Sequence, residues 1–298
     1  MQLQPNETND VCKVVHDDFK SIAWLIVGHG TRSPAGVRQF ENLVKEIQSL
    51  APTTIIRGCF LELALPSIPQ AMQSLFEAGI TRIIVVPVLL FSAAHAQSDI
   101  PEAVGAAAGP LGMHIVRQTP PLGTMPPLVA LSQRRFREMR ALEQTGPCPP
   151  FACAWANCSA GECRAAGQPQ GRVGLAMVGR GTSDERALDH MRQLTKIRAT
   201  KDAITHFQTG FFAGGVPNVD ALLEEASNWP CDTIIVQPHL LFEGELTSQL
   251  REKIRVLNEG STRQWLLART LGVDVELARV FVHLAIAQPA CLPQAEES

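Results

Sequence analysis

The 298-residue sequence has no apolar run long enough to cross a membrane. Its longest, Ile83 to Phe91, is interrupted by Pro87 and falls well short of the ~20 residues a spanning helix needs. It also has no excess of positive charge. Its 26 Lys and Arg against 29 Asp and Glu leave a net charge of −3, so a domain that grips nucleic-acid phosphates is not expected. The start, MQLQPNETNDVCKVVHDDF, is polar and acidic and lacks the basic residues and apolar stretch of a secretory signal. Nor is the chain poor in apolar residues, at 45%, so global disorder is excluded. What remains is a soluble, cytoplasmic, globular protein long enough for one large or two ordinary domains.

The most informative feature present is an internal repeat. Gly28-His29-Gly30-Thr31 recurs as Gly179-Arg180-Gly181-Thr182, Pro66-Ser67-Ile68 as Pro217-Asn218-Val219, and Pro87–Phe91 as Pro238–Phe242, all at an offset of 151 positions. Leu122-Gly123 recurs as Leu271-Gly272 at an offset of 149. Chance matches would not hold one register, so the chain carries two copies of one domain.

Each copy alternates short apolar runs with longer amphipathic stretches. In the first copy, Ala23–Val27, Thr54–Phe60, Arg82–Val86 and His114–Arg117 read as strands. Ser33-Pro34, Ser67 and Asp99-Ile100-Pro101 read as helix starts, and a last helix runs to about residue 142. Such alternation implies parallel strands covered by helices on both faces. The expected fold is α/β, with two similar doubly wound lobes of flavodoxin-like topology and a ligand cleft between them. The first lobe is placed at 20–143, a Cys-rich linker at 144–171 and the second lobe at 172–288. Two lobes in one chain can form the cleft without a second subunit, so a monomer is expected.

Ligands on such sheets bind beyond the carboxyl ends of the strands. In the first copy that edge receives His29 after the first strand, Glu62 after the second and His95 after the third. The 151-position offset maps these onto Arg180, Ala213 and Leu246. The flanking residues persist in the second copy and these three do not, so the repeat separates what the fold needs from what it does not. Singly, each is most simply a surface residue. Jointly, on one edge and absent from the sister copy, they read as a site. Imidazole nitrogens suit Fe, Co, Ni and Zn, and a carboxylate adds a ligand or accepts a proton. With no third histidine or cysteine to close it, the set describes an open, weakly held metal site with a base beside it.

The stretch LIVGHGTRSPAG…GCFLELALPSI…IIVVPVLLFSAAHAQSDIPEAV resembles the sirohydrochlorin chelatases of the class II (CbiX/SirB) type, in the large form with two lobes in one chain. The resemblance runs from about residue 22 to 287, with its specific motifs in the first half. It implies that His29 and His95 handle metal and that Glu62 is the accompanying acid. It also implies ATP-independent insertion of a divalent metal, Co²⁺ ahead of Fe²⁺, into sirohydrochlorin in cobalamin or siroheme biosynthesis. Gln97 stands where many members have lysine. The tetrapyrrole's carboxylates call for arginines, and Arg32, Arg57 (taken as near the end of its strand) and Arg180 are the candidates. His239, where the first copy has Val88, is either a cleft residue or a satisfied structural histidine.

Cys148, Cys153, Cys158 and Cys163 form a C-x4-C-x4-C-x4-C pattern in the linker. Thiolates so gathered can bind Zn²⁺ or an iron–sulfur cluster. The spacing matches no standard signature, and a loop without metal fits equally. Three rival functions bear on the same residues. A dinucleotide site needs a third glycine where Ser33 and Asp184 stand. A histidine phosphatase would have arginine where Gly28 stands. A metal or tetrapyrrole carrier using the same residues stays open as the alternative to an enzyme.

Overall fold

Runs of branched apolar residues bounded by glycine and proline set the strands, and capped amphipathic stretches set the helices. The structure, a computed structural model, describes residues 22–91, 98–142 and 172–287. The first copy contains β1 (Ile22–Gly28), α1 (Pro34–Leu50), β2 (Ile56–Phe60), α2 (Ile68–Glu77), β3 (Arg82–Pro87), α3 (Ile100–Leu111), β4 (His114–Gln118) and α4 (Pro126–Leu142). The second contains β5 (Val173–Gly179), α5 (Glu185–Lys201), β6 (His206–Phe211), α6 (Val219–Ser227), β7 (Thr233–Pro238), α7 (Glu245–Gly260), β8 (Gln264–Leu267) and α8 (Val275–Ile286). The caps are those read from the sequence. Ser33 accepts from the Gly36 N–H and is followed by a first-turn proline. Ser67 forms a capping box with Gln70.

Both sheets are wholly parallel, in the orders β2-β1-β3-β4 and β6-β5-β7-β8. The expected doubly wound α/β topology is therefore present twice. In each sheet the chain runs outward from the first strand in both directions. The connections after the first and third strands then diverge, which opens a crevice at their carboxyl ends. The central strands β1, β3, β5 and β7 are buried along almost their whole length, as strands covered on both faces must be.

The packing units differ from the repeats by one helix each. Residues 22–122 and 273–287 form one unit, and residues 123–142 and 172–272 form the other. α8 packs on α1 and β3, while α4 packs on α5 and β7. The chain passes between units at Gly123 and Gly272, both with positive φ. Each packing unit thus takes its last helix from the other repeat.

The two helix seats have different chemistry. In the first unit Ile47, Val86, Val88 and, on α8, Phe281 and Leu284 are all buried and apolar. The equivalent positions in the second unit are Arg198, Gln237, His239 and, on α4, Ser132 and Arg135, also all buried. Here Arg198 Nε donates to Ser132 Oγ at 3.0 Å and Gln237 Nε2 donates to Ser132 O and Oγ at 2.9 and 3.0 Å. The Arg198 guanidinium also lies over the Phe136 ring at 5.7 Å and pairs with Asp202. Arg135 donates to the carbonyls of Thr270 and Leu271. Two of the three Arg198 nitrogens are matched in this way, Nε by Ser132 and Nη1 by Asp202, and Nη2 is buried without a hydrogen-bond partner.

Candidate functional site

The site grows from the turn that follows β1. Gly30 has φ +105, and a Cβ placed on it would stand 1.7 Å from the Glu62 carbonyl oxygen. Only glycine allows the two loops to approach so closely. That approach lets Leu61 N–H donate to Gly28 O (2.9 Å) and Glu62 N–H to His29 O (3.0 Å), extending the β1–β2 ladder past the strands. Val88 N–H does the same to Val27 O on the other side (2.8 Å).

The second copy builds the same frame. Gly181 has φ +81, with Ala213 O 1.7 Å from a would-be Cβ. Phe212 N–H donates to Gly179 O (3.1 Å), Ala213 N–H to Arg180 O (3.0 Å) and His239 N–H to Val178 O (2.8 Å). The backbone is thus the same in both copies, and the side chains standing on it differ.

On the first frame the His29 Nε2 and Glu62 Oε1 atoms lie 3.5 Å apart. The histidine side chain is 14% exposed and the glutamate 53%. The imidazole is therefore held by its surroundings while the carboxylate reaches solvent. A neutral imidazole nitrogen and a carboxylate oxygen are a donor pair for a first-row divalent cation. At bond lengths of about 2.1 Å, atoms at this separation would subtend about 110° at the ion, close to the tetrahedral angle. A carboxylate open to water can also take up a proton and pass it on. Among the described residues no group of three or more His, Cys, Asp or Glu side chains gathers for a metal. The described part of the site is this two-donor pair.

The other expected residues fall as follows. His95 and Gln97, and the linker cysteines Cys148, Cys153, Cys158 and Cys163, lie outside the described residues. Arg32 is exposed in the turn after His29, at the same sheet edge. Arg57 departs from the expectation. It is the second residue of β2, far from that strand's carboxyl end, and its Nη1 donates to the neighbouring Ile56 carbonyl (3.0 Å). The strand starts at Ile56 and ends at Phe60, so Arg57 stands three residues before the carboxyl end, on the amino half. Arg180 is exposed at the carboxyl end of β5, in the second unit.

His239 is 2% exposed, an interior residue and not a cleft one. Burial, and secondarily the Arg198 charge, pull its pKa down to about 3, so it is neutral at ordinary pH. Cys59 is buried in the first core, where desolvation pushes its thiol up to about 12; it is an inert packing residue. One residue escaped sequence reading altogether. Leu63, next to Glu62, is half exposed and has φ +62. The available signal was the repeat itself, which sets Gly214 in the equivalent place.

The family model CbiX matches residues 23–139 and 174–286, together well over half of the chain. The sirohydrochlorin ferrochelatase of Priestia megaterium is 28% identical over 261 residues, 88% of each chain. The sirohydrochlorin cobaltochelatase of the same organism is 23% identical over 232 residues, 78% of this chain and 68% of that one. Among solved structures, SirB from Bacillus subtilis with Fe³⁺ is similar with a TM-score of 0.68 and 22% identity, covering 89% of this chain and 96% of that one. The sirohydrochlorin chelatase SirB in complex with cobalt gives a TM-score of 0.66 at 21% identity, covering 89% and 93%. These structures share the fold.

Proposed function

The chain belongs to the CbiX family of sirohydrochlorin chelatases, and from that premise we propose that it inserts a divalent metal, Co²⁺ or Fe²⁺, into sirohydrochlorin without ATP. The observation that carries the reading is the His29–Glu62 pair at the carboxyl edge of the first sheet, set on a backbone that the second copy repeats without either side chain. Relatives named for iron and for cobalt both support the reaction class. One nitrogen and one oxygen donor suit both ions.

The reaction exchanges two pyrrole N–H protons for one M²⁺. The metal is a substrate, so its site must hold it loosely enough to release it. In this proposal His29 and, from the sequence, His95 present the ion to the ring nitrogens. Glu62 receives the two pyrrole protons in turn and, being half exposed, hands each to water. A positioned proton acceptor contributes ~10²–10⁴-fold in rate. Arg32, in the turn beside His29, offers a guanidinium to a macrocycle carboxylate.

The test follows the absorbance change as Co²⁺ or Fe²⁺ enters sirohydrochlorin, with substrate in excess over protein. Multiple turnover is expected, with kcat in Glu62→Gln lowered by about 10²-fold. A single turnover would make the protein a carrier. An unchanged kcat in the variant would remove Glu62 as the proton acceptor.

A further inference from the structure

The loop after β2 contains the clearest backbone strain at the site. The Ala64 N–H donates to the Glu62 carbonyl at 2.8 Å, closing a three-residue γ-turn with Leu63 at its centre. Leu63 has φ +62, a left-handed conformation that a leucine adopts at a cost glycine does not bear. The turn of this hand is the rare one. The strain buys no core packing, because the Leu63 side chain is 50% exposed.

The second copy shows that the fold has no use for that side chain. Gly214 stands at the equivalent position with φ +64, the residue such a conformation favours. A Cβ there would come within 2.4 Å of the Thr182 carbonyl oxygen. The first copy has thus reshaped this loop to admit a side chain that its twin excludes. The neighbouring position provides a control. Leu65 is exposed in the first copy and Val216 is exposed in the second, so an apolar residue there belongs to the frame in both. Leu63 is the one with no counterpart. It also directly follows Glu62, whose carboxylate stands 3.5 Å from His29. Strain retained against packing, beside reacting groups, points to a role in binding.

We propose that Leu63 is a substrate-contact residue: it offers an apolar surface beside the His29–Glu62 pair on which the flat conjugated face of the tetrapyrrole rests. This rests on the chelatase reading. The ring's periphery is charged and its face is apolar, so a seat for the face must be an exposed hydrocarbon side chain near the metal donors. Leu63 meets both conditions. The γ-turn sets the direction of that side chain and, through the Glu62 carbonyl it ties, holds Glu62 against Gly30.

The test uses full-length Leu63→Gly and Leu63→Met in the insertion assay, with thermal unfolding measured in parallel. In Leu63→Gly the strain is relieved, so the midpoint rises by about 2–4 °C. The KM for sirohydrochlorin rises on the order of tenfold, with kcat changed far less. Leu63→Met keeps an apolar side chain and restores KM to near the parent value. A purely structural leucine would instead lower the midpoint of Leu63→Gly and leave KM alone, and either result overturns the inference. If the parent chain itself does not turn over sirohydrochlorin, the chelatase reading falls and this inference with it. If the parent turns over and Leu63→Gly keeps its KM, only the inference falls.

Discussion

At the edge of the first sheet stand His29, Glu62 and Leu63; in the same places on the second sheet stand Arg180, Ala213 and Gly214. The ladder hydrogen bonds beneath them correspond, from Leu61–Gly28 and Phe212–Gly179 to Val88–Val27 and His239–Val178. The difference teaches which atoms serve the frame and which serve the chemistry. The glycine turns and the extended ladder recur because the parallel sheet needs them. The imidazole, the carboxylate and the strained leucine do not recur, so folding does not require them. A second contrast runs the other way. Where the first unit seats its exchanged helix on Ile47, Val86 and Val88, the second uses Arg198, Gln237 and His239. Here the second copy holds the special residues, and Arg198 and Gln237 hydrogen-bond to Ser132 of α4.

The most severe way to break the comparison is to attack the shared frame. Gly30→Ala and Gly181→Ala both place a methyl group 1.7 Å from a carbonyl oxygen. Each is expected to destabilise by more than about 4 kcal/mol, as read by denaturant unfolding. A mild effect in either copy would show that the two turns are not equivalent. Next comes the polar seat. Arg198→Ile installs the first copy's residue, but takes the buried one of Asp202's two arginine partners, leaving it Arg137 and Gln133, and removes the donor to Ser132. Losing these hydrogen bonds is expected to cost about 1–3 kcal/mol, and adding Gln237→Val, His239→Val and Ser132→Phe should return part of that stability. If Arg198→Ile is as stable as the parent, the seat contributes nothing.

A smaller effect is tied to pH. His239 has its pKa lowered from 6.5 to about 3. Below pH 6.5 the unfolded chain binds a proton there that the folded chain refuses. Its contribution is therefore intact above 6.5 and is lost as pH falls, at about 1.4 kcal/mol per unit. His239→Val, which copies Val88, should flatten the acid side of the stability profile between pH 6.5 and 3. Parallel profiles for parent and variant would contradict the burial argument. The smallest expected effect is at Arg57. Its guanidinium is tied to Ile56 O at the start of β2, so Arg57→Ala should leave the KM for sirohydrochlorin within about twofold, whereas a substrate-anchoring arginine would cost at least tenfold.

Much of this was legible in the sequence. The repeat and the alternation of apolar runs with capped amphipathic stretches gave both sheets. Topology alone put His29 and Glu62 on one edge, because both follow parallel strands of one sheet. The side chains' 3.5 Å approach needed the Gly30 turn to be seen folded. The exchange of α4 and α8 was not legible, since hydrophobic period says that a helix packs but not on which sheet. Ser132 and Arg135 on the buried face of α4 were its one trace. Arg57 was misplaced because it stands three residues before the carboxyl end at Phe60, where the site-bearing loop begins. His239 was ambiguous because it lies one residue beyond β7, where the pattern of burial no longer predicts the side chain's surroundings. Leu63 was marked only by Gly214 at its place in the repeat, since a leucine does not itself signal a positive φ.

The central claim is that the first repeat carries the chemistry and the second only its frame. The most direct measurement is the initial rate of Co²⁺ insertion into sirohydrochlorin for His29→Ala and Arg180→Ala, which occupy one position in the two copies. The account predicts a loss of at least about 10²-fold for the first and only a few-fold change for the second. Equal losses, or an unimpaired His29→Ala, would contradict it.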